Sequence, residues 1–120
     1  LPEAPFVLAG MLNVDPADGD GRADALARIM AHVTDPEPRS KGGAAAKGGV
    51  NDGQKGDPAL DTGDWPDDKP PGNLRADYVL PQKGLKLLDA GVFWPEAGPL
   101  AEAALAASAH RLIWVDLDWP

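Results

Sequence analysis

Blocks of apolar residues, set off by glycine, proline and aspartate, mark most of the elements along this chain. Phe6-Val7-Leu8-Ala9 ends in Gly10, so residues 5–10 read as a buried strand. The cluster "DPADGDG" at 15–21 is a turn. In "GRADALARIMAHV" (21–33), Leu26, Ile29, Met30 and Val33 fall on one stripe of a helix, and Asp20 is placed to cap it. Residues 34–73 show no convincing period. They form a long loop, expected to be mobile at its tip and packed near Trp65, with Val50, Leu60 and Trp65 as anchors.

"NLRADYVLP" (73–81) is a second strand, with Leu74, Ala76, Tyr78 and Leu80 on one side. "LKLLDAGVFW" (85–94) is a third, with a kink or bulge near Ala90-Gly91. Gly98-Pro99 opens a short helix through about Ala107, since proline suits a first helical turn. "HRLIWVDLDW" (110–119) is the last strand, and its alternating Asp116/Asp118 and Leu117/Trp119 give its end one wet face. The order β-α-loop-β-β-α-β predicts an α/β or α+β layer, a mixed sheet of about four strands with helices on one face.

At 120 residues the chain has the length of one domain, and 43% apolar residues suffice for a core. Its 19 acidic and 11 basic residues give a net charge of -8, which opposes binding to a nucleic-acid backbone. A small substrate or a metal ion suits that charge, and so does plain solubility. Cysteine is absent, which excludes disulfides, thiolate metal sites and cysteine nucleophiles. That absence is compatible with a reducing compartment, so a soluble, cytoplasmic setting is favoured over a secreted one. No apolar run approaches the roughly 20 residues of a membrane span. The sequence starts on Leu-Pro-Glu-Ala-Pro without an initiator Met, so a processed product or a fragment is expected.

Three stretches, "FVLAGMLNVDP", "LRADYVLP" and "SAHRLIWVDL", occur in the order of three motifs of the endonuclease/exonuclease/phosphatase superfamily. Those enzymes carry Gly-Asp-x-Asn after a strand, then an Arg-x-Asp-Tyr strand, then Ser-Asp-His opening the last strand. The chain resembles the C-terminal half of that family, so residues 1–120 are expected to be one truncated phosphoesterase-like domain. The resemblance implies half of a four-layer sandwich, in which two sheets pack face to face with helices outside. It also implies hydrolysis of a small phosphoester with Mg²⁺ or Mn²⁺.

Under the resemblance Asn13, Asp77 and His110 are the catalytic candidates. Asn13 and His110 would contact the phosphate, and Asp77 would orient His110. Met11 and Ala109 stand where the family has acids. A thioether neither accepts a proton at neutral pH nor suits a hard cation, so activity is expected to be weak or altered and no tight Mg²⁺ site is expected. Asp15 and Asp20 are the candidates for substitute metal oxygens.

The same residues have plainer readings. Met11 fits as packing beside Leu12, Asn13 equally as a turn residue, and Asp77 with His110 as a structural pair. His32, at a helix end, reads as a favourable partner of the helix dipole. Asp18-x-Asp20-Gly21 looks like part of a calcium loop, but Pro16 and Ala27 occupy ligand positions. Ser108 lies close to His110, yet no Gly-x-Ser-x-Gly elbow is present.

Residues 5–9 and 112–115 are apolar on both faces of their strands. Half a sandwich would leave one sheet face open, so a homodimer burying those residues is expected. A noncatalytic self-assembling module that retains the fold is the alternative to an enzyme.

Overall fold

The computed structural model describes residues 4–120. The first strand, β1 (Val7–Met11), pairs antiparallel with β2 (Asp77–Pro81), Leu8 opposite Leu80 and Met11 opposite Asp77. Alternation sends Leu8, Tyr78 and Leu80 to one face, where the helix α1 (Ala23–Met30) covers them. The core there is Leu26, Val33, Tyr78 and Leu80, with Phe6, Leu8, Leu12, Val14, Ile29 and Met30 packed around it. The stripe of Leu26, Ile29, Met30 and Val33 is therefore the core-facing one. The cap differs from expectation: Arg22 occupies the N-cap without a side-chain hydrogen bond, and it pairs with Asp24 instead. Gly21 separates Asp20 from that position, and a Cβ at Gly21 would lie 2.9 Å from the Val14 backbone.

Residues 34–73 are more ordered in their local structure than their pattern suggests. They carry a short helix, α2 (Lys41–Ala45), and 3-10 turns at Gly49–Gly53 and Pro58–Leu60. Val50, Leu60 and Trp65 are each half-buried, but polar bonds and glycine contacts do most of the anchoring. Ser40 Oγ accepts from Gly43 N at 3.0 Å and caps α2. Asp18 accepts from Lys55 N and Gly56 N at 2.9 and 2.7 Å. Asn73 N donates to Asn51 Oδ1 at 2.7 Å. Gly42 lies so close to Trp94 that a Cβ would collide with the ring.

The third strand, β3 (Lys86–Phe93), pairs antiparallel with β4 (Leu112–Asp118), with the helix α3 (Pro99–Ala107) between them in sequence. The register shift lies between Leu87 and Asp89, slightly before the expected Ala90-Gly91. Gly91 pairs with Trp114, whose ring would lie 2.8 Å from a Cβ at Gly91. Along β4 the residues Ile113, Val115 and Leu117 are half-buried, while Leu112, Trp114, Asp116 and Asp118 point outward.

The architecture is α+β, but the expected mixed four-stranded sheet is not formed. The strands pair as two two-stranded antiparallel sheets, β1-β2 and β3-β4. The physical reason is a segment wedged between them. Gly63 makes isolated antiparallel bridges to both Leu74, before β2, and His110, before β4. Among the described residues, no helix is long and apolar enough to cross a membrane.

Candidate functional site

The wedge at Thr62–Trp65 joins the ends of β2 and β4, and the polar side chains converge there. Asp77 opens β2, and His110 sits two residues before β4. His110 Nδ1 lies 2.8 Å from Asp77 Oδ2, with side-chain exposures of 35% and 19%. An ionised carboxylate only accepts, so this contact assigns the proton to Nδ1 and leaves Nε2 as the free ring nitrogen. The Trp65 ring meets the His110 ring edge to face, at 5.2 Å and 89°. Gly63 lets Trp65 take that place, since a Cβ there would collide with the indole.

Backbone bonds fix the histidine segment from both sides. Asp64 N donates to Ala109 O at 2.9 Å, and Arg111 N donates to Thr62 O at 2.7 Å. The buried Arg111 guanidinium donates to Asp64 Oδ2 and Ser108 O, each at 2.6 Å, and lies over the Trp94 ring. Ser108 Oγ accepts from His110 N at 3.0 Å. That bond makes Ser108 a local turn residue rather than a nucleophile facing the imidazole.

A second arginine braces the other end of the site. Arg75 donates to both oxygens of Asp35, at 2.7 and 2.5 Å, and stacks over Tyr78. Burial pushes the Asp35 carboxyl up, but the hydrogen bonds from Arg75 and from Glu37 N, with the Arg75 charge, outweigh it and hold it below the usual range. Tyr78 donates to Val14 O at 2.5 Å, and burial pushes its hydroxyl up to about 12. Beside this brace, Asp61 is only 6% exposed. Burial, then the charges of Asp15, Asp18 and Asp57, push its carboxyl up to about 7.

The structure brings Asp77 and His110 together and sets the other candidates apart. Asn13, Asp15 and Asp20 line a cavity of about 180 Å³ together with Trp65 and Arg75. His110 lines a separate cavity of about 210 Å³ with Phe93, Ser108 and Leu112. Trp65, which lines the first cavity, also touches the His110 ring. Asn13 is exposed and takes a left-handed backbone at φ 53°. Met11 is 56% exposed and lies on the sheet face away from α1, so it is not the packing residue its position suggested. His32 is exposed just past the end of α1.

No divalent-metal site is assembled among the described residues. Asp15 Oδ1 accepts from Ala17 N and Asp18 N, and Oδ2 accepts from Arg75 N. Asp77 Oδ2 accepts from Thr62 and His110, and Met11 and Ala109 offer no oxygen at the side chain. Among the described residues, no group of three or more His, Asp or Glu side chains is arranged to hold an ion.

Thr62, Asp64 and Arg111 escaped the sequence reading. The signal for Thr62 and Asp64 is "DTGDW", a polar segment with an aromatic inside a stretch rich in glycine and proline, and Arg111 directly follows His110.

No curated protein and no solved structure matches the chain. The Endonuclease/Exonuclease/phosphatase family matches it over residues 1–112, which include all three motif segments up to the start of β4. Divalent-metal dependence is a general expectation of that membership. By that match over nearly its whole length, the chain belongs to the endonuclease/exonuclease/phosphatase family.

Proposed function

We propose that residues 1–120 form the C-terminal half of a phosphoester hydrolase, with weak or altered activity on small phosphoesters. The single observation that carries this reading is the Asp77–His110 contact at 2.8 Å, which leaves Nε2 free. In hydrolysis, water oxygen bonds to phosphorus as the bond from phosphorus to the leaving oxygen breaks. His110, when protonated, donates from Nε2 to a phosphoryl oxygen or to the departing oxygen. Asp77 holds the ring through Nδ1. A positioned acid of this kind typically contributes 10²–10⁴-fold. The Asn13 amide contacts substrate from the neighbouring cavity.

Met11 and Ala109 remove two carboxylates that the family supplies, so no metal-assisted step is assigned. The finer picture, half of a sandwich, is supported by Gly63, whose bridges to Leu74 and His110 tie the two strand pairs together without merging them. Turnover of an aryl phosphate ester, with and without Mn²⁺, tests the reading. We expect slow turnover that His110→Ala lowers at least about 100-fold. Turnover indifferent to His110→Ala would remove this site from the reaction.

A second reading, a noncatalytic self-assembling module, rests on a different observation. Val7, Leu112 and Trp114 all point outward from their strands and are exposed. In that reading the fold is retained to present these side chains to a second copy of the chain.

A further inference from the structure

Thr62 is fully buried, and its hydroxyl has one proton and two lone pairs. Ala76 N and Asp77 N donate to Oγ1 at 3.0 and 2.9 Å, which occupies both lone pairs. The proton is thereby directed to its remaining neighbour, Asp77 Oδ2, at 2.9 Å. That oxygen is the one that faces His110 Nδ1 at 2.8 Å. A single hydroxyl thus grips the backbone and the side chain of Asp77 together. The other charged groups beside the ring, Asp64 and Arg111, are paired with each other at 2.6 Å and leave Asp77 as its partner.

We propose that Thr62 is a positioning residue, which fixes the Asp77 carboxylate and through it the tautomer and direction of the His110 ring. The proposal rests on the reading of His110 as the phosphate-facing group, since only then does the direction of Nε2 matter for activity. Thr62 itself has no free lone pair or proton, so it takes no part in bond making. Serine keeps all three hydrogen bonds, whereas valine keeps the shape and removes all three.

Imidazole ¹⁵N chemical shifts, read on the whole chain, test this without any turnover. Free imidazole side chains favour the proton on Nε2, so a neutral His110 held by Asp77 should show it on Nδ1. We expect Thr62→Ser to keep the Nδ1–H form. Thr62→Val should move the ratio at least threefold toward Nε2–H, in the direction of Asp77→Asn. A valine variant with an unchanged ratio would overturn the proposal, because a residue that merely supports the strand would not move this signal.

If the valine variant does not fold, the parent protein still answers. Its Thr62 hydroxyl proton should exchange slowly with solvent, and its resonance should shift as His110 titrates. A hydroxyl resonance that ignores the His110 titration also overturns the proposal. These signals stand apart from activity. A chain without phosphoesterase turnover but with the expected shifts keeps the role of Thr62 and loses the hydrolase reading. Turnover that depends on His110, beside an unmoved tautomer in Thr62→Val, does the reverse.

Discussion

Met11 and Asp77 are direct partners across β1 and β2. Opposed residues in an antiparallel pair share a face, with Cβ atoms about 5 Å apart. A carboxylate at position 11 would therefore stand beside Asp77, the residue that holds His110. Met11 is well exposed, so replacing it sacrifices little packing. The Ala109 backbone is pinned by Asp64 N, next to His110. We predict that Met11→Asp with Ala109→Asp raises Mn²⁺ affinity at least tenfold in calorimetry, about 1.4 kcal/mol. Full phosphoesterase activity should not return, since these two oxygen donors do not complete a six-ligand shell. Equal Mn²⁺ affinity in parent and double variant would show that the motifs are wrongly aligned.

Asp61 should make the protein less stable as pH rises. Its carboxyl titrates near 7 in the fold, raised by burial and then by Asp15, Asp18 and Asp57, against roughly 3.9 in an unfolded chain. Below about pH 4 both states are protonated and no penalty exists. Between about 4 and 7 the folded state binds the extra proton, so stability falls with pH and stays low above that window. The three-unit gap sets an upper bound of about 4 kcal/mol. Asp35, whose carboxyl is held low, contributes with the opposite sign, and its share is lost only on acidification below the usual carboxylate range. Urea unfolding of Asp61→Asn should show a gain over the parent at pH 8 and almost none at pH 4. A gain of equal size at both values would mean that ionisation is not the cause.

Asn13 separates a turn role from a site role because its backbone and its amide can be tested independently. A left-handed φ of 53° suits glycine and asparagine and penalises alanine by roughly 1–2 kcal/mol. Asn13→Gly should unfold within about 0.5 kcal/mol of the parent, and Asn13→Ala should be destabilised by about 1 kcal/mol. If Asn13 contacts substrate, both variants lose turnover alike. Turnover that follows stability instead, retained in glycine and reduced in alanine, would leave Asn13 as a turn residue alone.

The helix α1 and the strands β2 and β4 were legible because their burial is periodic, and α3 because Gly98-Pro99 opens it. Leu26, Ile29, Met30 and Val33 announce the covered face of α1, and Leu80 and Tyr78 announce that of β2. The Asp77–His110 pair was legible for a different reason: a carboxylate inside an apolar strand requires a partner. The wedge at Thr62–Trp65 was not, because its order comes from bonds that leave no period. Thr62 saturates its hydroxyl on Asp77 and two backbone N–H groups, and Asp64 binds Arg111. Gly42 and Gly63 belong to the same class, since they matter for the Cβ they lack beside Trp94 and Trp65. The four-stranded sheet failed for the same cause, as nothing in the apolar pattern marks a polar segment bridging two strand pairs.

The last prediction concerns what covers the outward apolar side chains. The expected interface spanned residues 5–9 and 112–115, but the fold divides them. Phe6 and Leu8 turn toward the α1 core, and Ile113 and Val115 turn inward along β4. The outward share is Val7, Ala9, Leu112 and Trp114, with Leu112 67% exposed. Residues 34–73 do not cover them, since all four are exposed in the folded chain. If a second copy buried about 600 Å² of apolar area per chain there, the transfer term would be on the order of 15 kcal/mol. Lost rigid-body freedom and side-chain ordering would offset much of that. The remainder would support a twofold-symmetric dimer at micromolar concentration, in which each patch meets its own copy. Leu112→Glu is the sharper probe, because Trp114 also lies over Gly91 and its loss would disturb β3. We predict twice the chain mass in sedimentation for the parent, and a folded monomer for Leu112→Glu with an unchanged circular dichroism spectrum. A folded parent that sediments as a monomer at that concentration would end the self-assembly reading.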